Sequence, residues 1–293
     1  MNRIPFEGVI AYPITPFDDQ DRVDLPLFRS LLERLVISGA NGIAPLGSTG
    51  VLPYLRREEE EALTEATLQQ VDGRLPVLVG VSHLTTADTI YHARFAEKAG
   101  AAAVMILPMS YWKLSDEEIF RHYESVAQAI NIPIMAYNNP ATSGLDMSPA
   151  LLRRLLGIDN VTMIKESSGD IHRMHLLQQM LGDDAALYNG SNPMALAAFA
   201  AGARGWCTAA PNLVPEQNNA LYQAIRQNDL ARAQASFTQQ AGLLRFMVAK
   251  GLPRVVQAGL ELRGIPSGGL RKPLLPLSAD EKNTLQELLK ACS

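Results

Sequence analysis

Lys165 ends an apolar run, in "VTMIKESSGD" (161–170). Water solvates an ammonium group far better than a protein interior does. A lysine at the mouth of a buried strand therefore snorkels to solvent, pairs with a carboxylate such as the adjacent Glu166, or is kept for chemistry. The chemistry follows from desolvation, which disfavours the ammonium; a neutral amine attacks a carbonyl and forms a Schiff base. Tyr137 ends the preceding apolar run, "PIMAYNN", at a corresponding depth. Its phenol can shuttle the protons that carbinolamine formation and dehydration need. The plainer reading is a core aromatic with a satisfied hydroxyl. In "GSTG" (47–50), Ser48 and Thr49 supply two hydroxyls between flexible glycines. Such a turn can bring hydroxyls and backbone N–H groups to a carboxylate. It is also ordinary loop composition, and it lacks the Gly-Lys-Ser/Thr of a phosphate loop. Tyr111 in "PMSYW" and Gly190 in "AALYNG" complete the candidates at strand ends.

Other chemistry is weaker. His172 and His175 have i, i+3 spacing, but no third metal ligand accompanies them, so a surface helix is expected. His83 follows "PVLVGV" as a lone histidine, without a nucleophile elbow elsewhere. "EEEE" (58–61) reads as a solvated helix start, where carboxylates favour the positive dipole end, rather than as an acidic metal site. No metal centre is expected, and a metal-dependent barrel hydrolase is disfavoured for want of a His/Asp cluster at strand ends.

Eight short apolar runs, each followed by a helical pattern, position these side chains. They run from "GVIAYPITPF" with "LPLFRSLLERLVISG" to "GWCTAA" with "VPEQNNALYQAIRQ". Strands alternating with helices imply parallel βαβ units. Continuously apolar strands imply that both faces are covered. Eight units within about 230 residues predict an α/β fold, a (β/α)8 TIM barrel with a C-terminal helical extension. An open doubly wound sheet would show a Gly-rich turn after the first strand; here that turn is "PITPFDD". Active sites of such barrels lie at the C-terminal ends of the strands, where Lys165 and Tyr137 fall. Ser148-Pro149 and Asn192-Pro193 are expected helix starts. Ser115 with Glu118, and Ser278 with Glu281, fit capping boxes. Residues 1–230 are read as the barrel. Residues 231–293 are read as helices packed on it within one structural unit, with "SFTQQAGLLRFMVAKGLPRVVQAGLELRG" as one long amphipathic stretch.

Composition sets the class. The chain has 293 residues, 47% hydrophobic and 19% charged, with a formal net charge of −4. That balance gives no electrostatic reason to bind nucleic acid or an anionic membrane. No apolar run reaches the roughly 20 residues of a membrane span. The start, "MNRIPFEGVI", has no signal-peptide core. Cys207 and Cys292 are the two cysteines; they make no disulfide framework, and a cytoplasmic location is expected.

The order "GSTG", Tyr111, "YNNPATSG", "IKESSGD", "NGSNP", "GWCTAAPN" and "RKPLLPLS" resembles the dihydrodipicolinate synthase / N-acetylneuraminate lyase family. The resemblance spans nearly the whole chain and implies a class I, Schiff-base aldolase on a (β/α)8 barrel. It implies that Lys165 condenses with pyruvate or another 2-oxo acid, without a cofactor. It makes Tyr137 the general acid/base, places Ser48 in a proton relay and lets Thr49 hold the substrate carboxylate. Tyr111 matches a tyrosine lent to a neighbouring subunit, which implies a homo-oligomer, dimer or tetramer. The main-chain carbonyl of Cys207 matches a position beside bound pyruvate, and Gly190 is counted with the substrate-binding residues.

Departures narrow the substrate. Thr142 stands where lysine-pathway synthases carry an arginine for the aldehyde's carboxylate, which removes a bidentate fork. Asn192 and Pro193 stand where sialic-acid lyases carry Asp-Glu, and Val51 replaces the usual glutamate after "GSTG". The expectation is a 2-oxo acid aldolase, synthase or dehydratase, with a 2-keto-3-deoxy sugar acid as one substrate class and dihydrodipicolinate synthase proper as the alternative. A non-catalytic 2-oxo acid-binding barrel is the competing reading of another class.

Overall fold

The computed structural model describes residues 4–181 and 185–292. Strands and helices alternate as β1 (Gly8–Ala11), α1 (Leu25–Val36), β2 (Gly42–Ile43), α2 (Arg57–Val71), β3 (Leu78–Gly80), α3 (Thr86–Ala99), β4 (Ala103–Ile106) and α4 (Asp116–Ala127). They continue as β5 (Ile134–Asn138), a one-turn α5 (Pro140–Ser143), α6 (Pro149–Leu155), β6 (Val161–Glu166), α7 (Ile171–Met180), β7 (Ala186–Asn189), α8 (Ala195–Ala200), β8 (Gly205–Thr208) and α9 (Pro215–Arg226). The sheet is parallel in the order β2-β1-β8-β7-β6-β5-β4-β3. Its two ends meet through one parallel bridge, Ile43 to Val77, with Ile43 N–H donating to Pro76 O at 3.1 Å. The expected (β/α)8 barrel is the fold, with a narrow seam between β2 and β3.

The two-residue period of a strand sorts the core into two compartments. Ile10, Leu78, Met105, Met135, Met163, Tyr188 and Cys207 fill the barrel interior. Val9, Val79, Val104, Ile134, Ile164, Leu187 and Trp206 face the helices. Long unbranched methionines suit the irregular gaps of an eight-strand interior. Helix starts follow local chemistry: Ser115 with Glu118 and Ser278 with Glu281 form capping boxes, and Ser148 caps α6. Asn192 does otherwise. It lies in a 3-10 turn, and its Oδ1 accepts from Thr208 Oγ1 at 2.7 Å and from Trp206 Nε1 at 3.3 Å. A buried amide oxygen finds two buried donors here, which outweighs the capping role expected from Asn-Pro.

After the barrel come α10 (Leu230–Lys250), α11 (Leu252–Leu262) and α12 (Ala279–Ala291). The stretch read as long and amphipathic is two helices, broken at Gly251 with φ 92° and followed by Pro253. Asp229 caps α10 by accepting from Arg232 N–H. The helix α10 packs on α9, α11 and α12, and α11 reaches the turn after β8. Arg271 fastens the tail to the top of the barrel. Its guanidinium pairs with both oxygens of Glu59 (2.5 and 2.8 Å), donates to the Tyr54 and Asp21 carbonyls, and lies 4.2 Å from the Phe17 ring centroid. This carboxylate belongs to "EEEE", whose run is less solvated than expected: Glu59 is partly buried and Glu60 fully so.

Both Arg271 and Glu59 are largely shielded, so breaking the pair strands a charge. Arg271→Ala is expected to lower stability by about 3–5 kcal/mol, read as a shift in the urea unfolding midpoint; a change under 1 kcal/mol would show the clamp to be unimportant.

Candidate active site

Because Met163 points inward, so does Lys165 two residues on. Its neighbours in register are Tyr137 on β5 and Tyr188 on β7. Lys165 is 4% exposed. Its Nζ lies 3.7 Å from the Tyr137 ring centroid, 4.3 Å from that of Tyr12 and 4.0 Å from Met105 Sδ. Ring faces attract a cation but cannot neutralise it, and no ion pair to Lys165 is found among the described residues. Glu166, on the opposite face of β6, is taken up by Asn138 Nδ2 (3.1 Å), the Ser168 N–H (2.6 Å) and Arg173 (3.7 Å). Lys165 therefore neither snorkels nor pairs with Glu166. Tyr188 turns away, its hydroxyl donating to Phe6 O at 2.7 Å.

The Tyr137 hydroxyl accepts from Asn139 Nδ2 at 2.8 Å. Burial acts to raise its pKa, but the Lys165 charge, the Asn139 amide and the nearby Ser48 and Ser167 hydroxyls outweigh burial, so the phenol lies below its ordinary value. A phenol so held gives up a proton more readily than a free tyrosine, which suits a general acid. Tyr12 shows the opposite balance. Burial, then the neighbouring Cys207 and Tyr137, push it well above the ordinary value, and its hydroxyl donates to Met105 Sδ at 3.2 Å. Cys207 is buried on β8, and burial raises its thiol pKa despite Lys165 and Tyr12. Gly190 touches the reactive side chain through its lack of one. A Cβ there would stand 1.8 Å from Ser167 Oγ and 2.7 Å from Lys165 Cε.

The turn carrying Ser48 and Thr49 is held in tension. Leu46 (φ 58°) and Val51 (φ 54°) flank it in the left-handed region, where a β-branched residue costs on the order of 1–3 kcal/mol. Gly80 makes room, since a Cβ there would lie 1.9 Å from Leu46 O. Thr15 Oγ1 donates to Gly50 O at 2.8 Å. Thr49 is buried and Ser48 half-buried.

A cleft of about 480 Å³ opens above Tyr137 and Ser48. Leu46, Val51, Leu52, Leu84, Leu107 and Met109 supply its apolar wall, and Tyr111 and Thr142 stand on its rim. Its lining contains no charged side chain among the described residues. Thr142 is exposed, in α5. Tyr111 is 89% exposed and packs edge-on against Trp112, 77% exposed. Lys165, Tyr137, Ser48 and Gly190 thus converge, Cys207 borders them, and Thr142 and Tyr111 are peripheral.

Tyr12, Asn139, Ser167 and Met105 escaped the sequence reading although they touch Lys165 or Tyr137. The adjacency of Asn139 to Tyr137 and of Ser167 to Lys165 was the available signal. His172 and His175 are exposed on α7, as expected of a surface helix. His83 is not alone, however. Glu60 on α2 and His92 on α3 join it, so the reading of His83 as a lone histidine is corrected. Residues 23 and 9 positions apart on three elements carry no local pattern.

The model of the Dihydrodipicolinate synthetase family matches residues 5–292. A 4-hydroxy-tetrahydrodipicolinate synthase from Methanoculleus marisnigri is 33% identical, covering 97% of this chain and 98% of that one. One from Desulforudis audaxviator is 31% identical over 98% of both chains. Among solved structures, a Pseudomonas aeruginosa protein described provisionally as a dihydrodipicolinate synthetase has TM-score 0.96 and 49% identity, covering 98% of this chain and 99% of its own. Dihydrodipicolinate synthase from Agrobacterium tumefaciens has TM-score 0.93 and 32% identity over the full length of both.

Gly190→Ala is expected to displace Lys165 while leaving the fold intact. Labelling of Lys165 by a 2-oxo acid plus borohydride should fall by roughly 100-fold, with an unchanged circular dichroism spectrum; undiminished labelling would show that the close approach is unimportant.

Proposed function

The chain belongs to the dihydrodipicolinate synthetase family, and from that premise we propose that it makes or breaks a bond beside the carbonyl of pyruvate or a related 2-oxo acid through an imine on Lys165. It is an enzyme of the Schiff-base, class I aldolase type. The observation that carries the residue assignment is the buried amine of Lys165, without a carboxylate partner, 3.7 Å from the Tyr137 ring.

The unprotonated amine adds to the keto carbon, giving a carbinolamine. Tyr137 donates a proton to the departing hydroxyl, and water leaves. The protonated imine then draws electrons from the adjacent carbon. That carbon loses a proton to give an enamine, or its bond to the next carbon breaks and releases an aldehyde. The enamine attacks an aldehyde in the reverse sense. Ser48, which lines the same cleft as Tyr137, relays the proton towards the cleft. Thr49 and the turn amides hold the 2-oxo acid's carboxylate, and the Cys207 carbonyl and Gly190 border it.

The cleft wall supports an uncharged acceptor aldehyde. Val51, Leu52, Leu84 and Leu107 offer nothing to a carboxylate, and Thr142 cannot make a charge-assisted fork. The names of the relatives favour a second reading, 4-hydroxy-tetrahydrodipicolinate synthase activity. The aldehyde of a deoxy sugar acid is uncharged and falls within the first reading. Exposed Tyr111 and Trp112 support a face covered by a second copy of the chain. Two free, buried cysteines fit a reducing compartment such as the cytoplasm.

Incubation with pyruvate and borohydride should add the reduced pyruvate adduct to the Lys165 peptide, and Lys165→Ala should abolish it. No adduct would refute the imine. Tyr137→Phe should slow turnover by about 10²–10⁴-fold. Because the acid form of Tyr137 is the working one, wild-type rates should fall on the alkaline side below the ordinary tyrosine value, and this limb should vanish in Tyr137→Phe. Among acceptors, butanal or glyceraldehyde should be consumed faster than aspartate semialdehyde; the reverse order would favour the second reading. Sedimentation should give at least a dimer, shifted towards monomer by Trp112→Ser; a wild-type monomer would remove the shared face.

A further inference from the structure

Glu60 on α2, His83 at the exit of β3 and His92 on α3 meet on the helix side of the barrel, apart from the cleft lining and unused by the imine chemistry. Glu60 and His92 are buried, and His83 is partly exposed. Glu60 Oε2 lies 3.0 Å from His83 Nε2 and 3.3 Å from His92 Nδ1, and the two imidazoles stack at 4.3 Å. These contacts are not hydrogen bonds: Glu60 Oε2 and His83 Nε2 are both buried without a hydrogen-bond partner. Buried polar atoms without a hydrogen bond are costly, and here the two stand 3.0 Å apart.

The two carboxylate–imidazole separations suit a shared ion, and all three donor atoms lie within 4.8 Å of one another. With bonds of about 2.0–2.1 Å and tetrahedral angles, neighbouring donors of a zinc site stand roughly 3.3 Å apart. The donor set, two imidazoles and one carboxylate, is that of borderline transition ions rather than of calcium or magnesium. The surrounding charge agrees. Glu60, Glu61 and Asp88 are acidic, against the single guanidinium of Arg57, which is drawn off to Asp88 at 3.1 Å and the Tyr91 ring. His83 gives access from solvent.

We propose that Glu60, His83 and His92 bind one divalent transition-metal ion of the zinc class, with water completing the shell. The ion ties α2 and α3 to the loop after β3. Ser82 and Leu84, on either side of His83, line the cleft, so the site steadies one wall of the cleft and takes no part in bond making.

Purified protein stripped with a chelator, desalted and titrated with zinc chloride should bind one ion per chain by calorimetry and elemental analysis. Cobalt(II) should give the intense visible bands of a tetrahedral site. Glu60→Gln and His92→Leu should each weaken zinc binding by about tenfold or more, and zinc should raise the melting temperature of the wild type but not of the variants. No stoichiometric ion, or equal binding by wild type and both variants, would overturn the site. Should the buried variants fail to fold, His83→Ala and the cobalt spectrum of the wild type decide the matter. A retained tetrahedral spectrum in His83→Ala, or only the pale octahedral spectrum in the wild type, would overturn it.

Discussion

An amine without a counter-ion, held inside a barrel of methionine, tyrosine and thiol, is the constraint around which the active half of this molecule is built. Strand alternation puts Lys165 there and sends Glu166 to the other face, where Asn138, Ser168 and Arg173 occupy it. Had the register slipped by one residue, carboxylate and amine would exchange compartments. The four pairs in continuous register between β5 and β6, from Met135–Met163 to Asn138–Glu166, guard against that slip and fix Tyr137 beside the lysine. Ring faces at 3.7 and 4.3 Å soften the desolvation of the amine without quenching its reactivity.

Room for chemistry is made by backbone as much as by side chains. Gly190 lets the lysine stem pass, and Gly80 lets Leu46 adopt a left-handed turn. The strain at Leu46 and Val51 is borne by a framework that over-determines it: Thr15 grips Gly50, while Arg271 joins Glu59 and the Tyr54 carbonyl to the chain's tail. Local strain at a site is held where surrounding contacts outnumber it.

Lys165, Tyr137 and the eight alternating units were legible because each depends on periodicity or on a residue's place at a strand end. The break at Gly251 was written in "KGLP", yet the apolar pattern running across it read as one amphipathic stretch. Glu60 looked like part of a solvated run because helical position alone does not say which way a carboxylate in the first turn faces; only the packing of α2 on α3 buries it. Tyr12 and Met105 resembled ordinary strand residues, and their closeness to the amine exists only once the sheet has curled.

The seam between β2 and β3, held by the Ile43–Val77 bridge and by Gly80 N–H donating to Pro45 O at 3.1 Å, is the narrowest joint of the barrel. The turn bearing Ser48 and Val51 hangs from one lip of this seam, and Leu84 follows the other. The lysine stands on the far side, within the longest ladder. A barrel joined this way can change the shape it offers to the second reactant, over time or across descent, without disturbing the bond-forming amine. Reaction type and substrate range are thus housed on different parts of the barrel wall, and the family match runs through both.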